Sequence, residues 1–194
     1  MGIGVGYGDA KYIVKQSYND GTNANATFKS NGASYGFVAG YKQFFNEYLG
    51  LRYYANVDLT HASFKMTADT DEADANDTNE TYKFSPILVN YGINVDFLGN
   101  FVVTEIADFG GFIGLGIGGN TWTGKNMQGF KTSSFDVGLN VGLRTNIATN
   151  HGLEVAVRVP FLKTTILEEY EFGNSYKFEL GQNVRVLARY TFSF

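Results

Sequence analysis

The acidic segment DTDEADANDTNE, residues 69–80, is the first candidate for chemistry because carboxylates at regular spacing can bind calcium. Its acidic residues match several ligand positions of an EF-hand loop, namely Asp69, Asp71, Asp77 and Glu80. However, Ala73 replaces a ligand, Asp74 stands where that loop needs glycine, and no helical pattern flanks the segment. We therefore expect a solvated loop that is open to weak divalent-cation binding or to an extracellular ligand, and no dedicated metal site.

The histidines are the next candidates, because a hydrolytic site needs a base beside its nucleophile. The chain has only His61 and His151. The sequence pattern puts His61 on an apolar row near one end of a strand, and His151 in a short turn at the opposite end. Paired carboxylates such as Asp58 and Asp96 could exchange protons, but carboxylates opposite arginines are more often structural. We expect no enzymatic activity and no cofactor, and a lipid-modifying enzyme is a less favoured alternative.

A period of two residues dominates the chain and must position any such site. Apolar and polar residues alternate over 51–59, 87–97 and 135–147, and this alternation is typical of strands. Weaker copies complete a set of eight predicted strands, at 2–16, 33–44, 109–122, 153–167 and 176–194.

The connections between these strands alternate in length. Short ones are predicted at 45–50 and 148–152, with a medium one at 98–108. Longer polar ones, which we expect to be extracellular, are predicted at about 17–32, 67–81, 124–132 and 168–175. An even number of long strands with alternating connections predicts an all-β, antiparallel, up-and-down barrel that forms a single domain over 1–194, with both termini on the short-turn side.

The polar row of these strands distinguishes a barrel in lipid from a soluble ligand-binding barrel. It mixes glycine with ionisable residues of both signs, which we expect to form a charge network in a narrow lumen: Arg52, Asp58, Asp96, Asp136, Arg144, Glu154, Arg158, Arg185 and Arg189. The other row is apolar, and aromatic residues gather near the strand ends, as in the girdles of transmembrane barrels. The glycines either make room for the arginines or, at Gly114, Gly116 and Gly118, mark bends. The sequence therefore predicts a transmembrane β-barrel.

The overall composition agrees with this prediction. The chain has 24 Gly, 2 Pro, no Cys and a formal net charge of -4, without a basic stripe for nucleic acid. Met1 leads directly into the first strand without a signal peptide, so we expect that a signal was removed from the mature chain.

Several motifs resemble the Helicobacter and related outer-membrane proteins. GYKQFFNEYLGLRYYANVDLTH (Gly40–His61) resembles their second strand, periplasmic turn and third strand. GGFIGLGIGGNTW (Gly110–Trp122) is similar to their glycine-rich strand, and HGLEVAVRVPFLKTT (His151–Thr165) to their penultimate strand. The final YTFSF resembles their terminal signature, which implies that Phe194 is the signal read by the barrel assembly machinery.

The resemblance implies a protein of the bacterial outer membrane, in contact with lipid and lipopolysaccharide. Adhesins of the family carry large extracellular domains that this sequence lacks, so receptor binding is not carried over. We expect a monomer with a largely filled, charged lumen and a structural or surface-interaction role. The alternative is a narrow porin-like channel for small solutes.

Overall fold

The computed structural model describes residues 1–67, 81–125, 132–148, 150–171 and 174–194. Every regular element in these ranges is a β-strand: β1 Gly2–Ser17, β2 Asn23–Phe44, β3 Leu49–His61, β4 Phe64–Thr67, β5 Thr81–Phe84, β6 Ile87–Val103, β7 Ala107–Thr123, β8 Ser133–Ile147, β9 His151–Pro160, β10 Thr164–Glu171, β11 Asn174–Gly181 and β12 Arg185–Phe192. No helix in the described part of the chain is long and apolar enough to span a membrane.

The strands form a closed antiparallel ring. Its order is β1, β12, β9, β8, β7, β6, β3 and β2, and β2 pairs again with β1. The pairs β4–β5 and β10–β11 extend the wall beyond this ring on one side. Neighbours in the ring follow the order of the chain, so the predicted eight-stranded, up-and-down architecture is confirmed.

Two of the predicted strands are interrupted. The strand predicted at 153–167 ends at Pro160 and resumes at Thr164 as β10, since proline has no N–H to continue the ladder. The last strand breaks between β11 and β12, where the Asp9 carboxylate accepts hydrogen bonds from the backbone N–H groups of Asn183 and Val184 at 2.7 and 2.9 Å. One acidic side chain thus replaces the missing strand pairing at this break.

Several connections are shorter than the sequence predicts. The loop expected at 17–32 shrinks to residues 18–22, because β2 already begins at Asn23 and pairs with β1 from there. Residues 23–32 are polar and lack the apolar alternation, but their backbone still completes the ladder. The connection expected at 98–108 is reduced to 104–106. Similarly, the loop expected at 168–175 is largely the hairpin of β10 and β11. The acidic residues 69–80 lie outside the described residues, and so does most of 124–132.

The turn at 18–22 depends on a glycine and an aspartate. Gly21 has a φ of 84°, a left-handed conformation that glycine adopts readily, and its N–H donates to Tyr18 O at 3.0 Å. The Thr22 hydroxyl and backbone N–H both donate to the Asp20 carboxylate, and these hydrogen bonds lower the pKa of Asp20.

The two ends of the barrel differ. The terminal end carries both chain termini and the short connections 45–48, 104–106 and 148–150. There the Met1 ammonium donates to Phe192 O at 2.8 Å. The opposite end, called the loop end below, carries β4, β5, β10, β11 and the turn at 18–22. This arrangement agrees with the predicted placement of the termini.

The barrel interior is apolar near the loop end. We call this cluster the apolar cap, and its buried members are Ala10, Ala62, Phe64, Leu88, Trp122, Ile166 and Leu180. Half-buried aromatic rings pack against it from β1, β2, β5 and β11. A smaller cluster of Leu98, Phe112 and Ala156 lies nearer the terminal end. The predicted charged residues occupy the interior between and around these clusters.

Candidate functional site in the barrel interior

All nine residues of the predicted charge network point into the barrel. Eight are buried, and the Arg52 side chain is 11% exposed. Inward residues such as Asp58, Asp136 and Arg158 alternate along their strands with exposed aliphatic or aromatic residues. The pleat of each strand therefore explains their placement.

Two arginines meet near the middle of the lumen and are held apart by different carboxylates. Arg185 and Arg158 are direct partners in the ladder of β12 and β9. Arg185 Nη2 lies 2.6 Å from Asp58 Oδ2, across the lumen on β3. Arg158 Nη2 lies 2.6 Å from Asp136 Oδ2, on the neighbouring strand β8. Each guanidinium is thus neutralised on its own side of the lumen, which relieves the repulsion between the two arginines.

Asparagine side chains connect these two ion pairs. Asn90 donates to Asn120 Oδ1 at 2.7 Å and to Asp136 Oδ2 at 3.0 Å. Its own Oδ1 accepts hydrogen bonds from Asn56 and from Arg185. Asn94, Asn120 and Asn140 extend the same network. The result is a continuous layer of hydrogen bonds that joins strands on opposite sides of the lumen.

A second charged layer lies closer to the terminal end and is organised by Arg52. Its Nε and Nη2 donate to Asp96 Oδ2 at 3.1 and 2.6 Å, while its Nη1 contacts Glu154. Arg144 donates to the neutral amide oxygen of Asn100 and lies over the Phe44 ring, with 5.0 Å from Cζ to the ring centroid. Both layer carboxylates are therefore engaged by one arginine.

Arg189, like Arg144, has no carboxylate partner within the predicted network in the described residues. It is 7% exposed and lies opposite Glu154 in the β12–β9 ladder, yet it forms no ion pair with any described carboxylate. Its Cζ lies 6.0 Å from the centroid of the Tyr54 ring. Of the two network arginines on the last strand, only Arg185 has a carboxylate partner in the described residues.

The inward glycines make room for these polar side chains. A Cβ atom at Gly114 would collide with Asp96 Oδ1, and one at Gly116 would collide with Asn94 Oδ1. β7 pairs with β8 without a register shift through this stretch, so the glycines do not mark a bend. Of the two interpretations from the sequence, the structure favours the one in which glycine creates space.

The remaining candidates lie outside the lumen. His61 packs edge to face on Tyr35 on the outer surface, whereas His151 begins β9 and its Nδ1 is 2.7 Å from the Tyr190 hydroxyl. Phe194 is 90% exposed and follows the end of β12. Within the described ranges, no group of His, Cys, Asp or Glu side chains is arranged to hold a metal ion.

The exterior of the ring is the surface expected in contact with lipid. Exposed large apolar side chains cover it, among them Ile3, Val57, Ile93, Leu115 and Val155. A sequence comparison identifies the family: the family described as Helicobacter outer membrane protein matches residues 36–194. The chain belongs to this family. It is an integral β-barrel protein of the bacterial outer membrane, as predicted. No curated protein matches the chain.

Solved outer-membrane proteins resemble the chain at low identity. OprG from Pseudomonas aeruginosa is 13% identical, with a TM-score of 0.48 and coverage of 98% of this chain and 94% of that one. The outer-membrane enzyme PagL is 11% identical, with a TM-score of 0.43 and coverage of 96% and 99%. Ail of Yersinia pestis, solved with a heparin analogue, is 13% identical, with a TM-score of 0.29 and coverage of 97% of both chains. TM-scores this low do not establish a shared fold, so the barrel assignment rests on the strand ring.

Proposed function

We propose that this outer-membrane protein is a closed barrel with a structural or surface-interaction role, and that its lumen does not conduct solutes. The observation that carries the proposal is the apolar cap. Trp122, Leu88 and Leu180 within it are 2%, 1% and 0% exposed, so apolar side chains pack together across that end in the described part of the chain. Below the cap, the ion pairs and asparagine amides fill the lumen with side chains.

The loop end supplies the surface for interactions in this proposal. β1, β2, β10 and β11 form a continuous sheet there, with Lys15 Nζ 2.9 Å from Glu179 Oε2. Exposed Tyr18 and Tyr170 stand at the tips of these hairpins. We infer that the loop end faces the outside and the terminal end faces the periplasm, since longer connections are extracellular in such barrels. Lipopolysaccharide and a ligand of the acidic loop are the candidate partners on this surface.

We further propose that the protein is not an enzyme and is monomeric. His61 and His151 lie at opposite ends of the barrel on its outer surface, so neither can activate a nucleophile in the lumen. The carboxylates Asp58 and Asp96 are each paired with an arginine, which supports a structural role for them. Phe194, exposed beside the terminal strand, is the proposed contact for the assembly machinery.

Conductance in planar bilayers tests the closed lumen. Purified protein whose insertion is checked by its heat-dependent gel mobility is expected to give no reproducible channels, while a porin reconstituted in parallel gives them. Asp136→Asn serves as the matched variant, because asparagine has nearly the same size as aspartate but removes one negative charge from the lumen. Reproducible wild-type channels whose ion selectivity shifts in Asp136→Asn would refute the closed barrel and favour the narrow channel.

A further inference from the structure

A pocket of about 200 Å³ opens into the lumen at the terminal end. It lies between the end of β12 and the facing parts of β2 and β3, with Lys42, Arg52, Tyr54, Glu154 and Arg189 on its charged side. Val38, Tyr41 and Phe192 form an apolar side. The pocket is separate from the apolar cap, which closes the other end of the barrel.

The charges that line this pocket are unbalanced. Lys42, Arg52 and Arg189 contribute cations, whereas Glu154 is the one carboxylate among the lining side chains. Met1 and Phe194 also line the pocket, and their terminal charges are of opposite sign. The lining therefore carries an excess of positive charge.

Arg52 engages both nearby carboxylates, so its own charge is balanced while Lys42 and Arg189 are left without a carboxylate among the described side chains. It pairs with Asp96 and with Glu154, which leaves Lys42 to donate to the neutral Asn146 Oδ1 at 3.2 Å. Asp108, on β7, is a further inward carboxylate near this end, but it forms no ion pair with a described residue and does not line the pocket. Lys42 and Arg189 are consequently the pocket cations without a carboxylate partner in the described residues.

Arg189 is the strongest evidence for a ligand. It is more than nine-tenths buried, lines the pocket, and has no ion pair in the described part of the chain. Its Nε has no hydrogen-bond partner there, which is also true of Arg144, Arg158 and Arg185, but of these four arginines Arg189 is the one that lines the pocket. Tyr54 contacts this guanidinium but does not neutralise it. Burying a guanidinium without an anionic partner is unfavourable, and guanidinium groups bind carboxylate and phosphate oxygens well. We propose that the pocket binds a small soluble oxyanion, of carboxylate or phosphate chemistry, through Arg189 and Lys42.

The geometry limits the ligand to a small one. A volume of about 200 Å³ is below that of pockets that take drug-sized molecules. Thr191 adds a hydroxyl at the rim, while Val38 and Phe192 can contact a short apolar group. The pocket opens at the end proposed to face the periplasm, inside the barrel wall. A soluble anion can therefore enter the pocket directly from the aqueous phase. A lipid headgroup cannot do so easily, because the barrel wall separates the pocket from the bilayer.

The test is a titration of the intact protein with inorganic phosphate, in nanodiscs of phosphatidylcholine at constant ionic strength. Saturable NMR shifts are expected at the Arg189 side chain and at the Thr191 backbone amide. Arg189→Gln should weaken binding by about tenfold or more, since hydrogen bonds to charged groups are worth about 1.5–3 kcal/mol. Arg189→Lys should retain part of the affinity.

Matched variants separate the proposed site from general charge effects. Lys42→Gln should weaken binding less than Arg189→Gln, whereas Lys29→Gln, on the exposed loop end, should leave it unchanged. Gel mobility before and after heating shows whether each variant is folded. Shifts that do not saturate, or equal affinity in wild type and Arg189→Gln, would overturn the proposal. So would shifts that arise only when phosphatidylglycerol replaces phosphatidylcholine without added phosphate. None of these outcomes depends on whether the lumen conducts.

Discussion

Replacing Arg185 by leucine is expected to destabilise the barrel by about 3–5 kcal/mol. Arg185 and Asp58 are 1% and 0% exposed, and their closest atoms are 2.6 Å apart. The substitution would leave the Asp58 carboxylate buried with Asn56 Nδ2, at 2.6 Å, as its remaining donor. It would also remove the contact from Arg185 to Asn90.

An electrostatic calculation gives the same magnitude. Two unit charges about 4 Å apart attract by about 4 kcal/mol at an effective dielectric constant of about 20. Burial of the leucine side chain compensates little for the lost ion pair, because its neighbours in the lumen are the polar amides of Asn90 and Asn56. The loss should therefore approach the value found when one partner of a buried ion pair is removed.

The measurement is the free energy of unfolding by denaturant in lipid vesicles, with gel mobility as a second probe of the folded state. Arg189→Leu is the matched control, because Arg189 lies on the same strand, has no ion pair in the described residues, and loses its contact with the Tyr54 ring. Its expected cost is about 1 kcal/mol or less. The double variant Asp58→Asn with Arg185→Leu removes both charges and should recover about 2 kcal/mol or more of the loss.

Two results would refute this reasoning. Equal losses for Arg185→Leu and Arg189→Leu would mean that the ion pair to Asp58 contributes nothing beyond the bulk of the side chain. A double variant that is less stable than Arg185→Leu would mean that the Asp58 carboxylate is not the group left uncompensated.

Two further substitutions test the faces of the barrel. Ile93→Arg, at the exposed middle of β6, should lower the free energy of unfolding in lipid vesicles by about 2–4 kcal/mol. Ile106→Arg, in the turn 104–106, should lower it by about 0–1 kcal/mol. Equal losses would mean that the bilayer does not surround the middle of β6. Gly114→Ala should cost about 1–3 kcal/mol because its methyl group meets Asp96 Oδ1 and the Val95 carbonyl. Gly99→Ala, where nothing lies within 4 Å, should change the stability by less than about 0.5 kcal/mol; a loss as large as that of Gly114→Ala would contradict the role of glycine as a spacer.

The ring of strands and the two faces could be predicted from the sequence because the alternation directly encodes them. The charged residues on the polar row, such as Asp58 and Arg185, are inward for the same reason. Their partners could not be predicted, since Asp58 and Arg185 are far apart in the chain and meet only when the ring closes. The polar strand at 23–32 cannot be recognised from alternation, because its backbone pairing with β1 holds it in place without an apolar row.

The asparagine layer and the apolar cap were also not predicted, for a different reason. Asn90 and Asn94 stand on the same inward row as Asp96, so their position was available from the alternation. Because an amide satisfies both a carboxylate and a guanidinium, inward asparagines beside charged residues indicate such a layer. Leu88 and Trp122 likewise lie on inward rows near strand ends, and a change from polar to apolar along such a row indicates where the lumen closes.

The inward-facing residues therefore play different roles along the lumen. Near the loop end the row becomes apolar and packs like the core of a soluble protein, so its closure needs no charge. In the middle, Arg185 and Arg158 face each other in the ladder and require Asp58 and Asp136 to remain compatible. At the terminal end, Arg52 engages both nearby carboxylates, and Arg189 is left without one. A closed barrel needs only the cap and the balanced middle layer. The unbalanced terminal layer contributes nothing to closure, which is why it is the part of the lumen best explained by a ligand.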